Sequence, residues 1–86
     1  MYVIVVYDVD AERTHIPRKF LRKYLTHVQN SVFEGEITEG QAEEIKQHLS
    51  TRIRDDESVY IYTLWSEKYV ERTIIGEDPM DDNQII

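Results

Sequence analysis

Residues 2–8 read Tyr2-Val3-Ile4-Val5-Val6-Tyr7-Asp8, an apolar run that stops on a carboxylate. A continuous Val/Ile run of this length predicts a strand covered on both faces. The carboxyl end of such a strand is a rigid ledge, and it holds Asp8 more firmly than a loop would. Asp10 follows two residues later. A carboxylate pair on a ledge suits a hard divalent cation such as Mg²⁺, which takes one or two carboxylates plus water and phosphate oxygens. The plainer alternative gives both aspartates to a turn, a common place for Asp.

Working outward, a first helix is expected from about Thr14, with Pro17 tolerated in its first turn. Ile16, Phe20 and Tyr24 recur at helical spacing, flanked by Leu21, Leu25 and Val28, and form an amphipathic stripe. Residues 28–37 read as extended, either one bent strand or two short ones, with Asn30 or Gly35 marking a bulge or break. Thr38-Glu39-Gly40-Gln41 has the form of a capping box, and Ala42, Ile45, Leu49 and Ile53 continue it at helical spacing. Asp55-Asp56-Glu57 turns the chain into a strand over 58–65, rich in Val, Ile and Tyr. A last strand is expected over 69–75, closed by Gly76.

This order predicts an α+β, ferredoxin-like split-βαβ sandwich over residues 1–76, followed by a polar tail, 77–86, that ends in Ile85-Ile86. The last strand is extra to that plan. With Val70, Arg72 and Ile74 on one side it is an apolar edge, and pairing across a two-fold homodimer is the usual way to close one.

The chain has 86 residues and no cysteine. A core this small buries about 60% of the unfolded surface, so association is an expected source of stability. No apolar stretch approaches the roughly 20 residues that span a membrane, and no signal-peptide pattern precedes the first strand. A soluble, cytoplasmic protein is expected.

The formal net charge is −7, yet it is unevenly placed. Arg13, Arg18, Lys19, Arg22 and Lys23 fall within 13–23, a stretch without a single acid, while the remainder carries a balance of −12. One basic helix on an acidic protein is a candidate phosphate contact. The alternative is a solvated helix face paired to acids elsewhere. Lysine is scarce, at four residues, and acids are spread throughout, which fits adaptation to high salt.

Taken together, Asp8 ending an apolar first strand, the basic first helix, the string Gln29-Asn30-Ser31-Val32-Phe33-Glu34-Gly35 and the strand near 60–64 resemble the small CRISPR-associated Cas2 family, in an archaeal, salt-adapted form. The resemblance covers essentially the whole chain and implies a ferredoxin-like homodimer. It further implies metal-dependent cleavage of RNA or DNA, or a role in CRISPR spacer acquisition in which the dimer bridges copies of an integrase subunit and supports captured DNA. The family's metal-site aspartate maps onto Asp8, one from each protomer, with Mg²⁺ (or Mn²⁺) between them. Asp10 matches less closely and stands behind Asp8 rather than as a ligand.

Ser31 and Phe33 match positions of the family's active region and are carried as catalytic candidates beside Asp8; their ordinary alternatives are a polar strand residue and core packing. Arg13, Arg18, Lys19, Arg22 and Lys23 carry over as nucleic-acid contacts. His27 stands where many members have Arg, which replaces a permanent cation with a partial one.

Other constellations fail. His15, His27 and His48 are far apart in sequence, no HExxH occurs, and no Gly-rich phosphate loop exists. Tyr60, Tyr62 and Trp65 suit packing better than base stacking. Two functions follow, a structural subunit of spacer acquisition and a Mg²⁺-dependent endonuclease. A metabolite-binding regulatory domain is a third, because this sandwich hosts many activities.

Overall fold

The structure, a computed structural model, describes residues 1–66, 68, 71 and 73–76. Strand β1 (Tyr2–Asp8) leads through a 3-10 turn at Ala11–Arg13 into helix α1 (His15–Leu21), then strands β2 (Thr26–Gln29) and β3 (Val32–Glu36), helix α2 (Glu39–Ser50) and strand β4 (Ser58–Leu64). The sheet runs β2-β3-β1-β4 with every neighbouring pair antiparallel. β3 sits between β1 and β2, which α1 connects, and β1 sits between β3 and β4, which α2 connects. That is the split-βαβ arrangement, a ferredoxin-like α+β sandwich as the element order predicted.

The periodicities place the core. Val3, Val5 and Tyr7 alternate inward along β1 and meet Phe33 of β3, Leu21 of α1, and Ala42, Ile45 and Leu49 of α2. The capping box is complete: Thr38 Oγ1 accepts from the Gln41 N–H at 3.1 Å, and the Gln41 side chain accepts from the Thr38 N–H at 3.0 Å. Two of the four orphan donors of α2 are thereby satisfied.

The extended segment resolves into two strands, not one. Asn30, at φ 35°, makes the break, since Asn tolerates this region better than most side chains. Gly35 is instead a regular strand residue opposite Val3. A Cβ there would stand 3.2 Å from Leu25 Cδ2, so its missing side chain lets Leu25 pack onto the sheet. Val28 belongs to β2, because α1 ends at Leu21 and the chain turns before Thr26.

One expectation is corrected. Strand β1 is not covered on both faces within one chain: the helices lie on the Val3/Val5/Tyr7 side, and Tyr2, Ile4 and Val6 are only half-buried. By register, Tyr2, Ile4, Val6, Val32, Tyr60, Tyr62 and Leu64 share that open face, with Tyr60 55% and Tyr62 56% exposed. The expected last strand falls partly outside the described residues, at 69, 70 and 72. Glu71 and Thr73–Ile75, which are described, carry no strand pairing. The expected tail, 77–86, also lies outside the described residues.

Candidate nucleic-acid interface at the end of the first strand

Asp8 is the last residue of β1, exposed, opposite Ser58 of β4 and on the open face of the sheet. Its neighbour Tyr7 points the other way, into the core, where burial raises its pKa while Arg18, a hydrogen bond with Ser31, and Arg22 pull it back down. The Tyr7 N–H donates to the Ser31 carbonyl at 3.1 Å, and the Tyr7 hydroxyl reaches the Asn30 carbonyl at 3.5 Å. The end of β1, the turn between β2 and β3, and the Arg18/Arg22 side of α1 therefore converge. Tyr7 and Asn30 were not legible as parts of this site, because an apolar run and a turn residue look the same wherever they lie.

The basic residues of α1 do not form one uniform face. Arg18 and Arg22, four apart, approach Tyr7. Lys19 and Lys23, also four apart, line a cavity between α1 and α2. Arg22 caps α1, its N–H donating to the Arg18 carbonyl at 3.2 Å, and Lys23 lies in the turn beyond. Among the described residues none of the four is ion-paired.

Arg13 behaves differently. Its Nε donates to Glu57 Oε2 at 2.8 Å, and its Nη2 donates to Glu57 Oε1 at 3.1 Å and to the Arg52 carbonyl at 2.7 Å. Glu57, with a side chain 1% exposed, also accepts from the backbone N–H groups of Arg54 and Asp10. The Arg13 hydrogen bond is the main reason that the Glu57 pKa falls to about 2 against the opposing effect of burial, with the two backbone donors assisting. The guanidinium of Arg13 is thus committed to tying the loop after β1 to the loop before β4, which corrects its expected role as a free phosphate contact. Asp10 lies in the same knot, its carboxylate 3.9 Å from Arg54.

Phe33 is 0% exposed and sits in the core between Tyr7 and His27. A side chain without exposed surface cannot touch a substrate, so its expected catalytic role gives way to packing. His27 stacks on Phe33 with centroids 4.5 Å apart, and its Nε2 donates to the Asn30 carbonyl at 2.5 Å. It braces the turn that carries Ser31, which is itself half-exposed.

Among the described residues no three His, Cys, Asp or Glu side chains converge to hold a metal. One chain offers Asp8 as a single hard oxygen donor, so an Mg²⁺ ion there needs a second carboxylate, phosphate or water.

A four-stranded antiparallel sheet in this order, with two helices on one face, defines a ferredoxin-like α+β domain. The chain belongs to the CRISPR-associated Cas2 family: the family described as "CRISPR associated protein Cas2" matches residues 1–72. Relatives named "CRISPR-associated endoribonuclease Cas2" include one from Thermococcus kodakarensis, 48% identical over 83 residues covering 95% of this chain and 98% of the relative. One from Dictyoglomus turgidum is 44% identical over 87 residues, covering all of both chains. The crystal structure described as "cas2" superposes with a TM-score of 0.84 at 43% identity, covering 92% of this chain and 90% of the other. Cas2 of Streptococcus pyogenes gives 0.71 at 33% identity, covering 85% and 99%. No helix among the described residues is long and apolar enough to cross a membrane.

Proposed function

We propose that this chain is a structural subunit of CRISPR spacer acquisition, a homodimer that bridges copies of the integrase and contacts the DNA backbone, and so serves antiviral defence. The observation that carries this reading is the pair Arg18 and Arg22, not ion-paired among the described residues and near enough to Tyr7 for their charges to lower its pKa. Guanidinium groups held without a carboxylate partner favour phosphate oxygens, which they can bind bidentately. The open sheet face supports the dimer: half-buried Ile4 and Val6 and exposed Tyr60 and Tyr62 lie there beside Glu34, and apolar side chains so grouped are a poor surface to leave in water.

A second reading is favoured by the name of the relatives and by the exposure of Asp8. In a dimer built on the open face, one Asp8 from each protomer would hold Mg²⁺ or Mn²⁺, which polarises a phosphate and lowers the pKa of bound water. Ser31 would then orient the phosphate, and Arg18 and Arg22 would hold the flanking backbone. The chain would be a metal-dependent endonuclease acting on RNA or DNA.

Cleavage of labelled single-stranded RNA and duplex DNA with Mg²⁺ or Mn²⁺ separates the two, using wild type and Asp8→Ala in moderate and high KCl. A structural subunit binds duplex DNA and leaves both substrates intact. Cleavage by wild type that disappears in Asp8→Ala establishes the endonuclease instead.

A further inference from the structure

On the helical side of the molecule, away from the open sheet face, an open cavity of about 300 Å³ lies between α1 and α2, lined by His15, Ile16, Lys19, Phe20, Lys23, His48 and Arg52. Its lining divides chemically. Ile16 and the Phe20–His48 pair make an apolar, aromatic wall, the two rings being parallel within 2° at 3.6 Å between centroids. Lys19, Lys23 and Arg52 add three cations, and no acid lines the cavity. Among the described residues none of the three cations is ion-paired. On a chain of net charge −7, a recess with that balance concentrates positive potential.

His48 lies within reach of two of these cations. Burial, then the charges of Arg52 and Lys23, lower its pKa. The part that comes from Arg52 and Lys23 also favours an anion beside the ring. Small-molecule sites begin at about 300 Å³ and pair an apolar wall with a few convergent polar groups. A bare anion would leave the aromatic wall unused, and an apolar ligand would leave three cations unpaired.

We propose that this cavity binds a 5′-phosphorylated nucleoside, with the base against Ile16, Phe20 and His48 and the phosphate at Lys19, Lys23 and Arg52. Free mononucleotides and the 5′ end of a strand share that chemistry. The site does not depend on the function proposed above, since its defining residues His48 and Arg52 lie outside the Arg18/Arg22 surface.

The test is a titration of the ¹⁵N-labelled full chain, followed by NMR, with AMP, adenosine, ribose 5-phosphate, inorganic phosphate and a 5′-phosphorylated penta-deoxyadenylate. Saturable shifts at His15, Phe20, His48 and Arg52 are expected with AMP, and binding about tenfold weaker with each fragment. Arg52→Glu, on an exposed side chain, should weaken AMP about tenfold, whereas Lys46→Glu, the same charge change outside the cavity, should alter it less than about twofold. Shifts of the same residues by the pentanucleotide, competed by AMP, assign the site to strand ends; shifts by AMP alone assign it to free nucleotides. Absence of saturable shifts with both, inorganic phosphate binding as well as AMP, or an unchanged Arg52→Glu titration overturns the proposal. Duplex binding measured on Arg52→Glu keeps the two readings apart: AMP binding lost with duplex binding intact supports the cavity as a separate site. Both affinities falling together would mean that Arg52 acts on the whole surface, and would overturn it.

Discussion

Glu57 and Arg13 show how partners decide what a charged residue does. In the sequence, Arg13 is one of five cations in an acid-free stretch and Glu57 one of three acids in a turn. In the fold they form a bidentate pair that also fixes the Asp10 and Arg54 backbones. The folded Glu57 pKa lies at about 2, below the ordinary 4.5, so its contribution to stability is present above about pH 4.5 and is lost as pH falls toward 2. Urea unfolding at neutral pH should therefore find Glu57→Gln less stable than wild type, with the difference shrinking as the pH is lowered through that range. A constant difference would mean that the pair contributes through packing alone. Phe33 makes the complementary case. Fully buried between Tyr7 and His27, its replacement by Ala should cost about 3–5 kcal/mol in the same assay, whereas a residue acting mainly on substrate would change activity and leave unfolding untouched.

At the scale of elements, α1 is two surfaces on one helix. Arg18 and its C-cap Arg22 lie toward Tyr7, and Lys19 and the following turn's Lys23 line the cavity against α2. Arg18→Glu combined with Arg22→Glu should weaken duplex DNA binding about tenfold or more and lower the slope of log K against log salt by about 2. An unchanged affinity and slope in a filter-binding titration would remove these arginines from the interface. Much at this scale was legible: Thr38 and Gln41 announced the start of α2, Val3 and Val5 the core strand, and Ala42, Ile45 and Leu49 the buried helix face. The division of α1 was not. The helix is only seven residues long, and Ile16, Phe20 and Tyr24 turn toward α2, with Phe20 on His48 and Tyr24 donating to Glu44. Spacing gives the row but not which neighbour it meets. Asn30 and Gly35 were equal candidates for the break, and only the positive φ of Asn30 and the approach of Leu25 to Gly35 separate them. The Asp8 carboxylate could be located in the sequence; its isolation from other ligands within one chain required the fold.

For the whole molecule, the unbroken apolar run of β1 predicted two covered faces, and one chain covers only one. A second copy on the open face would reconcile the two and, in the reading proposed above, bring both Asp8 residues toward one interface. Ile4→Asp combined with Tyr62→Asp, which places two carboxylates on that face without touching the core, should convert the dimer to monomers by light scattering. A persistent dimer would put the interface elsewhere. The same geometry separates the proposed functions most sharply in a reconstituted integration reaction with a CRISPR integrase subunit, comparing wild type, Asp8→Ala and the Arg18→Glu/Arg22→Glu protein. A structural subunit predicts integration with Asp8→Ala at the wild-type level and its loss in the arginine variant. Loss with Asp8→Ala, in a protein that still dimerises and binds duplex DNA, would contradict it and make the strand-end carboxylate the working part of the molecule.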